Sequence, residues 1–422
     1  MMKTVLLTMS LFGLYTLAPL GIPFGVYLLP GLVSLVLYLK SQKLFFWLLS
    51  FCGVLLALFI FNVLLRGGAT EIGPQFVSLT LFFLTVSAST GFLLLVLNFP
   101  PRTIHKWSKL LIWLILVGLF LERVGPLKPV SDFVRGLLYS SELVYGNDLR
   151  DMTNYGFIRP KLFASEPSHV AKFFGMLLVV AVTTSTENFN KSLILIWSVA
   201  FVVLEPSVTA APGIAVTVSL LVFQRQRLRT NGLLLKTVAV SGIGAGLFVV
   251  ALQMITRLGF DGTPIEASAY IRIVEPAFMA VKSLAERPFL GFGVGVEEDI
   301  FHLINQIRGS ATPLFVLTEK SHSVLAGNVF FSMFWQYGIV GTVLIWFFIL
   351  KLVSMVSKAH FLFVILFIII HSFSVADIHT PFFWGYFVMV LAGFWHLKHT
   401  QSLQQATQSE LGIHNFQERK IN

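Results

Sequence analysis

The chain has 422 residues, of which 56% are hydrophobic and only 12% charged, and it carries a formal net charge of +10. Soluble domains hold about a quarter charged residues, so a chain this apolar cannot cover itself with polar surface and lipid must be its solvent. The positive charge sits in short loops between apolar runs, which argues against nucleic acid, and the single cysteine, Cys52, lies inside such a run and excludes disulfides and Cys-ligated metals.

Runs near or above the roughly 20 residues that cross a bilayer core predict about a dozen transmembrane helices. They fall near 4–20, 23–39, 44–65, 76–97, 110–121, 170–184, 192–204, 208–223, 234–253, 325–350, 360–375 and 380–397. The first run has no small-residue cleavage site and reads as a retained helix. The expected fold is all-α: a polytopic helix bundle forming one membrane domain over 1–398, with a polar, Gln-rich cytoplasmic tail over 399–422. An N-terminus placed inside puts Lys40, Lys43, Arg102, Lys106, Lys109, Lys191, Arg225, Arg227, Lys351, Lys358 and Lys398 in the cytoplasm, leaving only Arg66 in the short external connections. That is the positive-inside pattern, and it implies N-in, C-in topology in a plasma membrane. Two connections, 122–169 and 254–324, are too long for plain linkers; both fall outside the cytoplasm, and function is expected there.

The larger loop reads Tyr270-Ile-Arg272-Ile-Val-Glu275-Pro, then an apolar stretch to Glu286-Arg287-Pro288-Phe-Leu-Gly291-Phe-Gly293-Val-Gly295. Pro at the first helical position and apolar residues at helical spacing predict a short amphipathic helix over 276–286 at the membrane surface. Arg272 stands just before it and Arg287 just after. The glycine run lacks the strand and the spacing of a dinucleotide fingerprint. It reads as a tight turn feeding a re-entrant segment, or as backbone amides that approach an anion. The smaller loop ends with Arg159, Lys161, Glu166 and His169 directly before the sixth span, near the outer interface, where each is either functional or simply snorkelling or solvated. Lys172 and Glu205, near span ends, read as snorkelling. The acidic run Glu297-Glu298-Asp299 has no placed His partner and gives no metal site.

These segments together resemble the bacterial O-antigen polymerase (Wzy) and O-antigen ligase superfamily. The resemblance is carried by Arg272 ahead of Pro288-Phe-Leu-Gly291-Phe-Gly293, and by Asn328 followed by nine residues and Gly338-Ile-Val-Gly341. Arg159 with Phe163-x-x-Glu166-Pro-Ser adds to it, as does the topology with a last span opening at Pro381-Phe-Phe-Trp384. It runs from about residue 155 to the C-terminus. Ligases carry a His immediately before the Asn-type position, where this chain has Gly327, with His322 five residues earlier. Where the family often has an Arg after Ser at the eighth span, this chain has Val208. The missing His points to a polymerase.

The resemblance implies a GT-C-like, metal- and cofactor-independent glycosyltransferase whose active site faces the periplasm. It would transfer a growing glycan from undecaprenyl diphosphate to a second lipid-linked repeat unit, making O-antigen or exopolysaccharide, with membrane lipid and a chain-length regulator as further partners. Arg272 and Arg159 would clamp the diphosphate with Arg287 in support, since guanidinium groups pair bidentately with phosphate and stay charged. His322 or Glu166 would serve as the base, Glu166 having pairing with Arg159 or Lys161 as its rival role. Three other readings stand beside this one: an O-antigen ligase, a secondary transporter with Glu205-Pro206 as its intramembrane feature, and a scaffold of an envelope assembly.

Overall fold

The computed structural model describes residues 1–16, 25–65, 72–139, 151–152, 155–185, 191–225, 273–295, 303, 306, 328–375 and 377–421. Among these the chain is helical and forms no strand. The helices are α1 (Met2–Thr16), α2 (Gly25–Tyr38), α3 (Gln42–Leu65), α4 (Ile72–Leu97), α5 (Pro101–Val124), α6 (Lys128–Leu138) and α7 (Pro167–Thr183). They continue as α8 (Lys191–Leu204), α9 (Ala211–Arg225), α10 (Glu275–Glu286), α11 (Val329–Ser357), α12 (Phe361–Ser372) and α13 (Pro381–Ile421). Of these, α3, α4, α5 and α11 are long and apolar enough to cross a membrane. Large side chains such as Phe46, Leu65, Trp113, Phe120 and Phe347 point outward from α3, α5 and α11, which suits a lipid solvent and not water.

A helix covers each predicted segment except the ninth, 234–253, which lies outside the described residues together with most of 254–324. Two elements differ from the sequence reading. Hydropathy starts the fifth span at 110, but α5 begins nine residues earlier, where Pro101 at the first helical position opens a turn carrying Arg102, His105, Lys106 and Lys109. Those charges end the apolar run without ending the helix. The other is α6, which the expected loop 122–169 hides: it is too short and too polar on one face to register as a span. It buries Ser131 and Arg135 and turns Val130, Phe133 and Leu137 outward. α13 runs on through the polar tail to Ile421.

The centre of the bundle is α7, buried at every residue from Val170 to Thr183 and packed against α5, α9 and α13. A helix apolar on all sides belongs in such a place. Its one charged member, Lys172, does not snorkel; it is buried, with its ammonium 5.6 Å from the Phe382 ring. α2 lies on α4 so closely that a side chain on Gly91 would overlap the Gly31 carbonyl, the small-residue contact that membrane helices use to approach.

α11 is broken at Gly338, whose φ of 61° and ψ of −167° no helix holds. A continuous helix would join the Ile339 and Val340 amides to the Trp335 and Gln336 carbonyls. Instead, Ile339 N–H donates to Pro288 O (2.8 Å) and Val340 N–H to Phe289 O (3.1 Å). The released carbonyls accept from Phe292 N–H (2.7 Å) and Gly293 N–H (2.8 Å). The segment after α10 therefore plugs the gap, exchanging two helical hydrogen bonds for four, as a backbone withdrawn from water requires. Asn62 of α3 donates to the Leu290 carbonyl at 3.2 Å and holds the plug from the other side. The expected turn is present. Its alternative role, amides aimed at an anion, is closed to Phe292 and Gly293, because α11 takes both. Asn328, at the head of this stretch, caps α11 by accepting from the Phe330 and Phe331 amides at 3.0 and 3.3 Å.

Candidate functional site

The segment 155–166 is folded around a strained turn. Leu162 and Phe163 have φ of 41° and 68°, a left-handed conformation that costs a side-chain-bearing residue about 1–3 kcal/mol and persists only when its surroundings impose it. Here they do. The Glu122 carboxylate, from the last turn of α5, accepts the Lys161 and Leu162 amides at 3.0 and 2.7 Å. Ser131 of α6 accepts the Phe163 amide at 3.1 Å, and the Tyr15 and Tyr139 hydroxyls donate to the Leu162 and Phe163 carbonyls.

This turn forms one wall of a cavity of about 310 Å³, lined by Glu122, Arg123, Lys128, Asp132, Arg159 and Lys161 among others. That volume lies at the lower end of the roughly 300–1,000 Å³ usual for small-molecule sites. Four of those residues are cationic. Of the two anions, Glu122 is taken up by the backbone amides and Asp132 pairs with Arg135 at 2.9 Å. Arg123 lies across the Phe157 ring, its guanidinium carbon 3.8 Å from the centroid.

Arg159, the sequence-predicted clamp residue, is buried against two carboxylates. Asp151 accepts from its Nε at 2.9 Å and from its backbone amide at 3.2 Å, and Glu205 stands 3.6 Å from Nη1. Burial works against the guanidinium charge, but Glu205, Tyr155 and Asp151 outweigh it and hold Arg159 in its cationic form. Glu205 is fully buried and neither of its oxygens has a hydrogen-bond partner. It sits in the break between α8 and α9, so the snorkelling expected of it does not occur. Burial pushes its carboxyl up to about 8; Arg159 opposes this, and Asp151 and Glu122 add to it. Two carboxylates face one guanidinium, and Glu205 is the one without a hydrogen bond to it.

The other predicted residues are placed elsewhere. Glu166, at the N-cap of α7, meets His169 Nε2 at 3.0 Å and accepts from Ser168 Oγ at 2.5 Å, while His169 Nδ1 lies 3.0 Å from Ser165 Oγ. Arg287 does not line the cavity; it is exposed at the end of α10 with its guanidinium carbon 4.8 Å from the centre of the Phe292 ring. Arg272 and His322 lie outside the described residues. α10 itself is present as expected and lies along α11.

One constellation has no counterpart in the sequence reading. The turn between α12 and α13 brings Asp377 Oδ2 to 2.7 Å from His379 Nδ1, and His379 Nε2 to 2.6 Å from the Tyr337 hydroxyl of α11. The Asp377 carboxyl feels burial, which raises its pKa, but the charge and hydrogen bonds of His379, with Gln336, prevail and hold it below its ordinary value. The pattern Asp-x-His is visible in the sequence, but Tyr337 lies 42 residues away from His379 and only the fold joins them. Among the described residues, no group of three or more His, Cys, Asp or Glu is arranged to hold a metal ion.

Comparison of the chain with models of known protein families gives no match, and neither does comparison with curated protein sequences.

Proposed function

We propose that the chain is a bacterial inner-membrane polysaccharide polymerase, which transfers a glycan from undecaprenyl diphosphate to a second lipid-linked repeat unit on the periplasmic side. The observation that carries this reading is the convergence of Arg123, Lys128, Arg159 and Lys161 on one cavity. It is built from the loop that the charge pattern puts outside the cytoplasm. As the glycosidic bond breaks, negative charge grows on the leaving diphosphate, and fixed cations in a site with little water stabilise that charge most. Arg159, held rigid by Asp151, brings a fixed cationic charge to the cavity wall, and Lys161 a second charge beside it. Arg272, next to α10 in sequence, belongs to the same clamp in this reading, and Arg287 keeps only a supporting place.

The broken α11 and the buried Glu205 are features that a secondary transporter would also need. A transporter, however, presents freed carbonyls to its ion, whereas here Trp335 and Gln336 give theirs to Phe292 and Gly293. The polymerase reading is the stronger one.

The test is made in the cells the chain comes from. Arg272→Ala, and Arg159→Met paired with Asp151→Asn, should leave protein level unchanged and abolish polymer, with single repeat units reaching the final acceptor. Polymer that accumulates on its lipid carrier would instead mark a ligase. Polymer of normal length and amount in both variants overturns the reading.

A further inference from the structure

We propose that Tyr337, His379 and Asp377 form the relay that removes the proton from the acceptor hydroxyl, the role that the sequence offers to His322 or Glu166. The inference rests on the polymerase reading above.

Three observations carry it. First, the hydrogen bonds have a direction. With the imidazole neutral, Asp377 Oδ2 accepts from His379 Nδ1 at 2.7 Å, and Nε2 is then the acceptor for the Tyr337 hydroxyl at 2.6 Å. Second, the exposure is graded: Tyr337 is 5% exposed, and the His379 and Asp377 side chains are 12% and 36% exposed. The chain of groups leads from the bundle interior to its surface. Third, it is held rigidly. Phe82 of α4 meets the His379 ring edge-on at 4.7 Å, the Thr380 hydroxyl donates to the Asp377 carbonyl, and Trp384 Nε1 donates to the Ile378 carbonyl. The groups facing His379 are Asp377 from its own turn, Tyr337 from α11 and the uncharged Phe82 from α4. The Glu166–His169 pair, by contrast, lies within one helical turn of sequence. The His169 ring nonetheless lies 4.3 Å from that of Phe382, tilted against it, three residues beyond His379, so the relay and the loop bearing Arg159 share one end of the bundle.

In the step proposed, the acceptor oxygen bonds to the anomeric carbon of the donor glycan as the bond from that carbon to the diphosphate oxygen breaks. The bonding pair leaves with the diphosphate. The hydroxyl proton passes to Tyr337 Oη while the phenol proton moves to His379 Nε2, giving an imidazolium that faces Asp377 and releases its proton to water.

The experiment uses full-length protein in lipid nanodiscs, with undecaprenyl diphosphate as the binding probe and lipid-linked repeat units as substrate. Tyr337→Phe and His379→Gln should bind the probe as the wild type does, keep the donor KM, and lower turnover by about 10²-fold or more. Asp377→Asn, which holds the His379 Nδ1–H less firmly than a carboxylate does, should lower turnover while leaving the donor KM and probe binding unchanged. Undiminished turnover in Tyr337→Phe and His379→Gln overturns the relay. If either protein does not fold, Asp377→Asn decides, and undiminished turnover there overturns the relay. Wild-type protein that fails to bind undecaprenyl diphosphate overturns the polymerase reading beneath the relay, and the relay with it.

Discussion

The backbones of Gly291 and Gly338 touch. A side-chain carbon on Gly291 would lie 2.6 Å from the Gly338 nitrogen, and one on Gly338 would lie 2.6 Å from the Leu290 nitrogen. This contact explains why the two glycine-bearing stretches, distant in sequence, depend on each other. The first breaks no helix of its own; it completes the helix that the second breaks. Tyr337, immediately before the break, reaches His379 with its hydroxyl.

The first prediction concerns this contact. Gly291→Ala and Gly338→Ala each meet backbone atoms that cannot yield, at φ values of 63° and 61° that disfavour a side chain. Overpacking costs about 1–3 kcal/mol, and a left-handed side-chain-bearing residue adds about 1 kcal/mol or more. Each variant should melt clearly below the wild type in thermal unfolding of the solubilised protein. Gly53→Ala, where an added carbon meets nothing within 4 Å, should melt as the wild type does and serves as the control.

A second prediction concerns Glu205. Its carboxyl rises from 4.5 to about 8 in the folded protein, so between those values the folded chain holds a proton that the unfolded chain has lost. Stability must then fall as pH rises through that window and level off above about 8. The full span corresponds to about 5 kcal/mol at most. Glu205→Gln keeps the shape without the ionisation and should flatten this part of the melting-temperature profile, gaining on the wild type at the alkaline end. An unchanged slope in the Gln variant would place its source in another group.

The helices were legible because burying or exposing apolar runs to lipid leaves little other choice of backbone, and each predicted segment that is described is helical. What escaped were features set by contacts. α5 continues through four basic and imidazole side chains that hydropathy counts against it. α6 shows only as an amphipathic stretch inside a loop. Arg159 and Lys161 were marked by charge and position, yet their partners Asp151, Glu205 and Glu122 come from separate segments. No local pattern announces that a carboxylate at the end of α5 will cradle amides about forty residues on. Asn328 stood out as part of a motif, and its work as a helix cap appears only once the Phe330 and Phe331 amides are seen to point at it.

A third prediction follows from that cradle. Glu122→Ala leaves the buried amides of Lys161 and Leu162 without their acceptor, at about 1–3 kcal/mol for each unsatisfied group. The left-handed turn at Leu162 and Phe163 then loses what imposes it. The expected outcome is a lowered melting temperature together with faster proteolysis within 155–166 and loss of undecaprenyl diphosphate binding. Glu122→Gln, which still accepts at one oxygen, should fall between the two proteins in all three measurements.

The last prediction separates charge from fold at Arg159. Its partner Asp151 is fully buried, so Arg159→Ala strips a buried carboxylate of its guanidinium, which typically costs about 3–5 kcal/mol. A loss of binding in that variant alone would therefore be ambiguous. Pairing Arg159→Met with Asp151→Asn removes both charges while keeping much of the volume, and stability should return close to wild type. Binding of undecaprenyl diphosphate should not return: a charged hydrogen bond to phosphate is worth about 1.5–3 kcal/mol, so affinity in the double variant should stay about 10- to 100-fold below wild type. Arg159→Lys restores the charge but not the fork that Asp151 holds, and should recover only part of the affinity. Wild-type affinity in the Met/Asn pair would show that Arg159 braces the turn and leaves the ligand to Lys161 and its neighbours.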